Sequence, residues 1–205
     1  MPDIPRIGRP DLPSDTDPAE APDDLRDMAI TVSTEVRRFL STVTEVAAGA
    51  NPEVAIPLLL LAVSDVLAAG ARLGALVDIV PAERFEPDVG PDADLDPLGA
   101  ALENLLEGVD DYREVADPVL GTEVVTSSIS GDLVLIAGAL AQGQRHYDAG
   151  QVLEALWWWQ YSYLSNWGER ASAMLRVLLG VLAHLRLDID DDVAAQAQFQ
   201  ALHEQ

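Results

Sequence analysis

The stretch DDYREVADP, residues 110–118, places Asp110, Glu114 and Asp117 at steps of four and three, with Asp111 beside them. On a helix that spacing gathers carboxylates on one face, the oxygen donors that Mg²⁺ or Ca²⁺ prefers. Arg113 stands among them, and the residue before a proline resists helical backbone angles. A solvated acidic face is therefore the simpler expectation, and Glu103 and Glu107 extend it. A second acidic run, DIDDD (188–192), sets Asp188, Asp190 and Asp192 at the first, third and fifth positions of a calcium loop. Val193 then stands where the loop needs Gly and Phe199 where it needs Glu, so the pattern fails. The histidines, His146, His184 and His203, share no metal-ligand spacing, and no Glu-x-x-His pair occurs. With no cysteine there is no thiol catalysis, disulfide or Cys-based metal site. Phosphate-loop, dinucleotide and GxSxG patterns are missing as well, and Ser127 and Ser128 read as helix caps. No metal or cofactor is expected.

The other chemistry-bearing stretch is EALWWWQYSYLSNWGER, residues 154–170. On a helical wheel Leu153, Trp157, Tyr161 and Leu164 form one apolar side. Val152, Leu156, Trp159, Tyr163 and Trp167 form its neighbour. So wide an arc predicts a central helix with Trp157 and Trp159 in the core. Trp158 falls on the polar strip with Glu154, either exposed for a partner or covered by the chain's own tail or linker. Gln160 lies inside the apolar arc, so its amide needs partners there.

The elements that position these residues follow from periodicity and punctuation. Residues 1–22, rich in Pro and Asp, read as a disordered tail. Leu25, Met28, Val32, Val36, Phe39, Val43 and Val46 recur at helical steps from Asp23. Asn51-Pro52 opens a second helix to about residue 77. Its run VAIPLLLLAVSDVLAAGA touches the lower length of a membrane span. Asp65 sits mid-segment, at a cost on the order of 3 kcal/mol in a bilayer, so a core helix of a bundle is expected. There Asp65 needs an arginine, with Arg72, Arg37 and Arg38 as choices. Residues 80–97 read as an acidic, Pro-rich linker, followed by a short helix from Leu98 and one or two turns at 110–117. A fourth helix is expected with Ile129, Leu133, Ile136, Leu140 and Tyr147 inward, a turn at Gly150, and a long final segment that kinks at Asn166-Trp167-Gly168. Residues 188–205 read as an acidic tail or frayed helix. The expected architecture is all-α: one helical bundle of five or six helices over residues 23–187, with antiparallel hairpins around the aromatic helix.

DDYREVADP (110–118), TEVV (122–125) and YDAGQVLEALWWWQYSYLSNWGERASAMLRVL (147–178) resemble an actinobacterial family designated domain of unknown function 5063. The likeness runs over about residues 25–187. It implies a helical bacterial protein and carries over no activity or catalytic residue. Gly150, Ala155, Leu156 and Trp159 also echo the inter-helix turn of a tetratricopeptide repeat. No 34-residue period accompanies them, so the echo supports a helical hairpin over 129–164 and no array.

The net charge is −23, and every cation is Arg. Residues 23–187 hold 25 of the acids and 10 of the arginines, so the imbalance belongs to the body. This excludes direct nucleic-acid binding and binding to anionic membranes, which need clustered cations. The N-terminus lacks an apolar signal segment, so a cytoplasmic location is expected. The leading expectation is an interaction or adaptor module, rather than an enzyme, that binds a basic surface of another protein through Trp158, Glu154 and Arg170. The alternative is a small-molecule binder or unfamiliar enzyme. Its pocket would lie between the aromatic helix and the second helix, lined by Trp157, Tyr161, Gln160 and Asp65. A weaker third is an acidic mimic of DNA. Oligomeric state is not legible in the sequence.

Overall fold

A computed structural model of the chain describes residues 21–75, 78–81, 87–116 and 119–203, with side chains through residue 187. The expectations for residues 1–20, for Asp117 and for the side chains of 188–205 lie outside the described residues.

Helix α1 (Asp23–Ala47) begins with Asp23 and Asp24 at the positive end of its dipole and buries Val32, Val36, Phe39, Val43 and Val46. A single 3₁₀ turn (Pro52–Val54) leads into α2 (Ala55–Gly74), which buries Leu59, Val63, Val66 and Leu73. Asn51 makes no side-chain cap there, because Pro52 directs the chain into the turn before the helix starts. Among the described residues, Pro52–Gly74 is long and apolar enough to cross a bilayer, and 44% of its most apolar window is buried inside the protein. After the linker come α3 (Asp96–Leu105), strands β1 (Asp111–Val115) and β2 (Val124–Ser128), and α4 (Ile129–Asp148). Gly150, at φ +80°, makes the left-handed turn into α5 (Val152–Ser162). A π-turn (Tyr163–Trp167) carries α5 into α6 (Gly168–His203) without a break. The core runs through α1, α2, α4, α5 and the first half of α6, and it buries Trp159, Trp167, Phe39 and Leu133 completely or nearly so.

The fold is a mostly helical bundle, as its periodicity predicts, with two differences. First, residues 110–116 do not form helical turns. β1 pairs antiparallel with β2 in the register Tyr112↔Ser127 and Glu114↔Val125. The β-branched run Val124-Val125-Thr126 favours an extended chain, and Pro118 removes the helical alternative. Second, the acidic C-terminal stretch continues α6 as far as His203. The kink expected at 166–168 is the π-turn. There Trp167 Nε1 donates to Ser162 Oγ at 3.1 Å, and the Trp167 ring meets the Tyr163 ring edge-on at 4.9 Å. Both rings lie against Gly70 of α2, where a Cβ would stand 2.6 Å from Trp167.

Candidate functional site

The hairpin's alternation decides where the acids go. Strand residues two apart share a face, so Asp110, Tyr112 and Glu114 turn together toward the bundle. Tyr112 is buried, and its hydroxyl donates to Asp132 Oδ2 in the first turn of α4. Arg170 of α6 donates from Nη1 to Asp132 Oδ1 at 2.9 Å. The Asp132 side chain is only 3% exposed, while the Arg170 side chain is 42% exposed. Asp110 serves the same joint. Its Oδ1 accepts from Ser130 N at 2.8 Å and its Oδ2 from Ser130 Oγ at 2.6 Å, adding to the cap that Ser128 Oγ gives Gly131 N at 3.2 Å. These carboxylates join hairpin, α4 and α6. Among the described residues no group of His, Asp or Glu is placed to hold a metal ion.

Beside this joint lies a cleft of about 740 Å³. β1 and β2 form one wall, with Asp111, Glu114, Thr126, Ser127 and Ser128. The start of α4 forms its floor, and Ser165, Asn166, Glu169 and Arg170 form the far wall. Ser127 Oγ donates to Glu114 Oε1 and orients that carboxylate. Burial, the hydrogen bond to Asp132 and the charges of Asp132 and Glu114 push the Tyr112 phenol well above its ordinary range, against a smaller opposing effect of Arg170. The hydrogen bond to Asp132 holds the Arg170 guanidinium above its ordinary value, against the opposing effect of burial. Arg170, the cation lining the cleft, is thus committed to Asp132. Asp111, Glu114 and Glu169 set the sign of what remains.

The aromatic helix is distributed differently from its wheel. Trp159 is fully buried, and its Nε1 donates to Leu140 O at 3.1 Å. Trp157 is only half-buried, a correction to its expected core position. It stacks on Tyr161, centroids 5.2 Å apart and planes 8° from parallel, and Tyr161 is 54% exposed. The cause is packing. α5 turns its Leu156–Trp159 side to α4 and α2, which leaves the Trp157–Tyr161–Leu164 side at the edge. A groove of about 480 Å³ follows that side, lined by Asp78, Ile79, Val80, Pro81, Trp157, Gln160, Tyr161 and Leu164. The Gln160 amide has the partners it needs: Oε1 accepts from Ile79 N at 3.0 Å and Nε2 donates to Leu73 O at 2.8 Å.

The expected contact patch does not assemble. Trp158 is half-buried, its Nε1 donating to Ala139 O at 2.9 Å. It shares the lining of a cavity of about 540 Å³ with the linker residues Asp92 and Ala93, which Arg145 anchors through Asp92 at 2.9 Å. Glu154 is buried, and Arg170 belongs to the hairpin cleft. Asp65 does not line the aromatic groove. It is half-exposed and faces Arg38 across 3.9 Å, because α2 turns that position outward beside α1. Sequence reading missed Tyr112 and Asp132. A two-residue period in DDYRE was the available signal for Tyr112, whereas nothing local links Asp132 to Arg170.

The architecture defines a helical-bundle protein carrying a two-stranded insert that closes one polar cleft. The chain belongs to the family described as domain of unknown function (DUF5063), whose profile matches residues 23–184. A similar fold occurs in the crystal structure of protein BF1032 from Bacteroides fragilis. The TM-score is 0.61 and the identity 17%, over 75% of this chain and 91% of that one. No curated protein matches the chain in sequence.

Proposed function

We propose that this chain is a protein-interaction module whose docking site is the hairpin cleft and whose partner presents a basic segment. The observation that carries this reading is the internal pairing of Arg170 with Asp132, which leaves Asp111, Glu114 and Glu169 lining an open cavity. A cationic segment entering there meets three carboxylates, and the net charge of −23 steers it in. The site lies apart from Trp158, so the partner class expected from the sequence is kept and the contact residues change. A cytoplasmic setting remains the natural one for a chain without cysteine.

The test is titration with an arginine-rich peptide. Asp111→Asn, Glu114→Gln and Glu169→Gln combined are expected to weaken binding about tenfold or more. The equal charge change at Asp23, Asp24 and Asp27 on α1 is expected to have little effect. Equal effects of the two triple changes would mean diffuse attraction and would end the reading.

A second reading, binding of a small planar ligand, is favoured by the stacked Trp157–Tyr161 pair at the 480 Å³ groove. Quenching of tryptophan emission by such a ligand, lost in Tyr161→Ala, would support it.

A further inference from the structure

The backbone of the hairpin adds a feature that the charges do not. Ile129 N donates to Asp110 O at 3.0 Å and Ala116 N to Glu123 O at 2.9 Å. These two bonds frame the ladder and fix its parity. In an antiparallel pair, mutually bonded positions alternate with positions whose N–H and C=O turn away. Given the register, Tyr112 with Ser127 and Glu114 with Val125 are bonded pairs. Val124 and Thr126 therefore direct both backbone polar groups away from β1. Among the described residues the sheet has two strands, and β2 meets no further strand on that side. Val124 and Thr126 are exposed, and Thr126 and Ser128 line the acidic cleft. An open edge of this kind is a template for an incoming strand.

We infer that the Val124–Ser128 edge takes the basic segment of a partner as a third strand, with alternate side chains of that segment directed into the acidic cleft. This rests on the cleft reading above and adds the mode of binding. The two faces of the added strand would meet different surroundings. Toward the bundle lie Glu114, Ser127 and Glu169. On the outer face lie Val124, Val115 and the guanidinium of Arg113, which stands across from Thr126. A basic residue suits the first face. An apolar one suits the second, where Arg113 would repel another cation. The recognised pattern is thus basic–apolar alternation in an extended chain. A second copy of this chain is a poor occupant because two bodies of charge −23 repel each other.

The probe is a labelled peptide alternating Arg and Val, roughly six residues long, the length of an ordinary strand. It is titrated into the full chain alongside an isomer with its arginines and valines in two blocks. Two further versions carry N-methyl groups on the Arg nitrogens or on the Val nitrogens. The alternating peptide is expected to bind about tenfold tighter than the block isomer. N-methylation in one phase should abolish that advantage, and methylation in the other should spare it. Thr126→Pro in the protein is expected to reproduce the loss, since it removes an outward N–H that β1 does not use. If that variant misfolds, the methylated peptides decide alone. Binding indifferent to residue order and to both methylation phases, yet lost with Asp111→Asn, Glu114→Gln and Glu169→Gln, overturns strand addition and leaves the cleft reading intact. Failure of every arginine-bearing peptide to bind the wild-type chain overturns both.

Discussion

Arg170 of α6 and Asp132 of α4 meet at 2.9 Å although 38 residues separate them, and their contact holds the floor of the cleft to its far wall. Removing one member of a buried pair leaves the other desolvated and unmatched, which typically costs 3–5 kcal/mol. Arg170 is part-exposed, so water offsets some of that cost. Arg170→Met is expected to destabilise the fold by about 2 kcal/mol in urea unfolding. Asp132→Asn keeps a partner for Tyr112 and is expected to cost less than Asp132→Ala.

The Tyr112 phenol gives a pH signature. Its folded value lies above its ordinary value of 10.0, chiefly through burial and then through its hydrogen bond to Asp132. A raised value favours the protonated form in the fold. That contribution is whole below pH 10.0 and is lost as pH rises through the folded value. In an alkaline titration followed by phenolate absorbance, part of the signal should appear only as the protein unfolds. Tyr112→Phe should remove that part, and a smooth single titration in wild type would contradict it.

Trp159 and Trp157 should separate by stability. Trp159→Ala empties a fully buried site and is expected to cost about 4 kcal/mol. Tyr161→Ala, which loses an exposed stacking partner of Trp157, should cost under about 1 kcal/mol. Gly143 of α4 lies against the Trp159 indole, where an added Cβ would collide with the ring. Gly143→Ala is therefore expected to destabilise by about 2 kcal/mol, although alanine is the better helix former.

Gln160 ties the segment after α2 to the aromatic helix through Ile79 N and Leu73 O. Gln160→Ala leaves both groups without that partner, at a cost of about 2 kcal/mol. The Ile79 amide should then exchange with solvent much faster than in wild type. Unchanged exchange at Ile79 would show that the bond contributes little.

Much of this molecule was legible before any coordinates. The steps from Val32 to Val46 and from Ile129 to Leu140 specify helices with one buried face, and those faces are buried. Gly150 and the irregularity near Asn166–Gly168, which is the π-turn Tyr163–Trp167, were legible because a left-handed turn and a shifted helical ladder have local causes. The hairpin was misread as helical turns. Acids at steps of four and three suggest a helix, and the competing two-residue period of Asp110, Tyr112 and Glu114 is short.

What the sequence determined by itself is therefore local: which segments become helices, where they end, and how acidic the whole must be. What tertiary structure decided is which side of the tryptophan helix faces neighbours, that Trp158 shares a cavity with the linker, and that Arg170 meets Asp132. Periodicity records the width of an apolar face and not the identity of what covers it. Pairings between residues 38 apart carry no spacing rule, because they form only once the helices between them have packed.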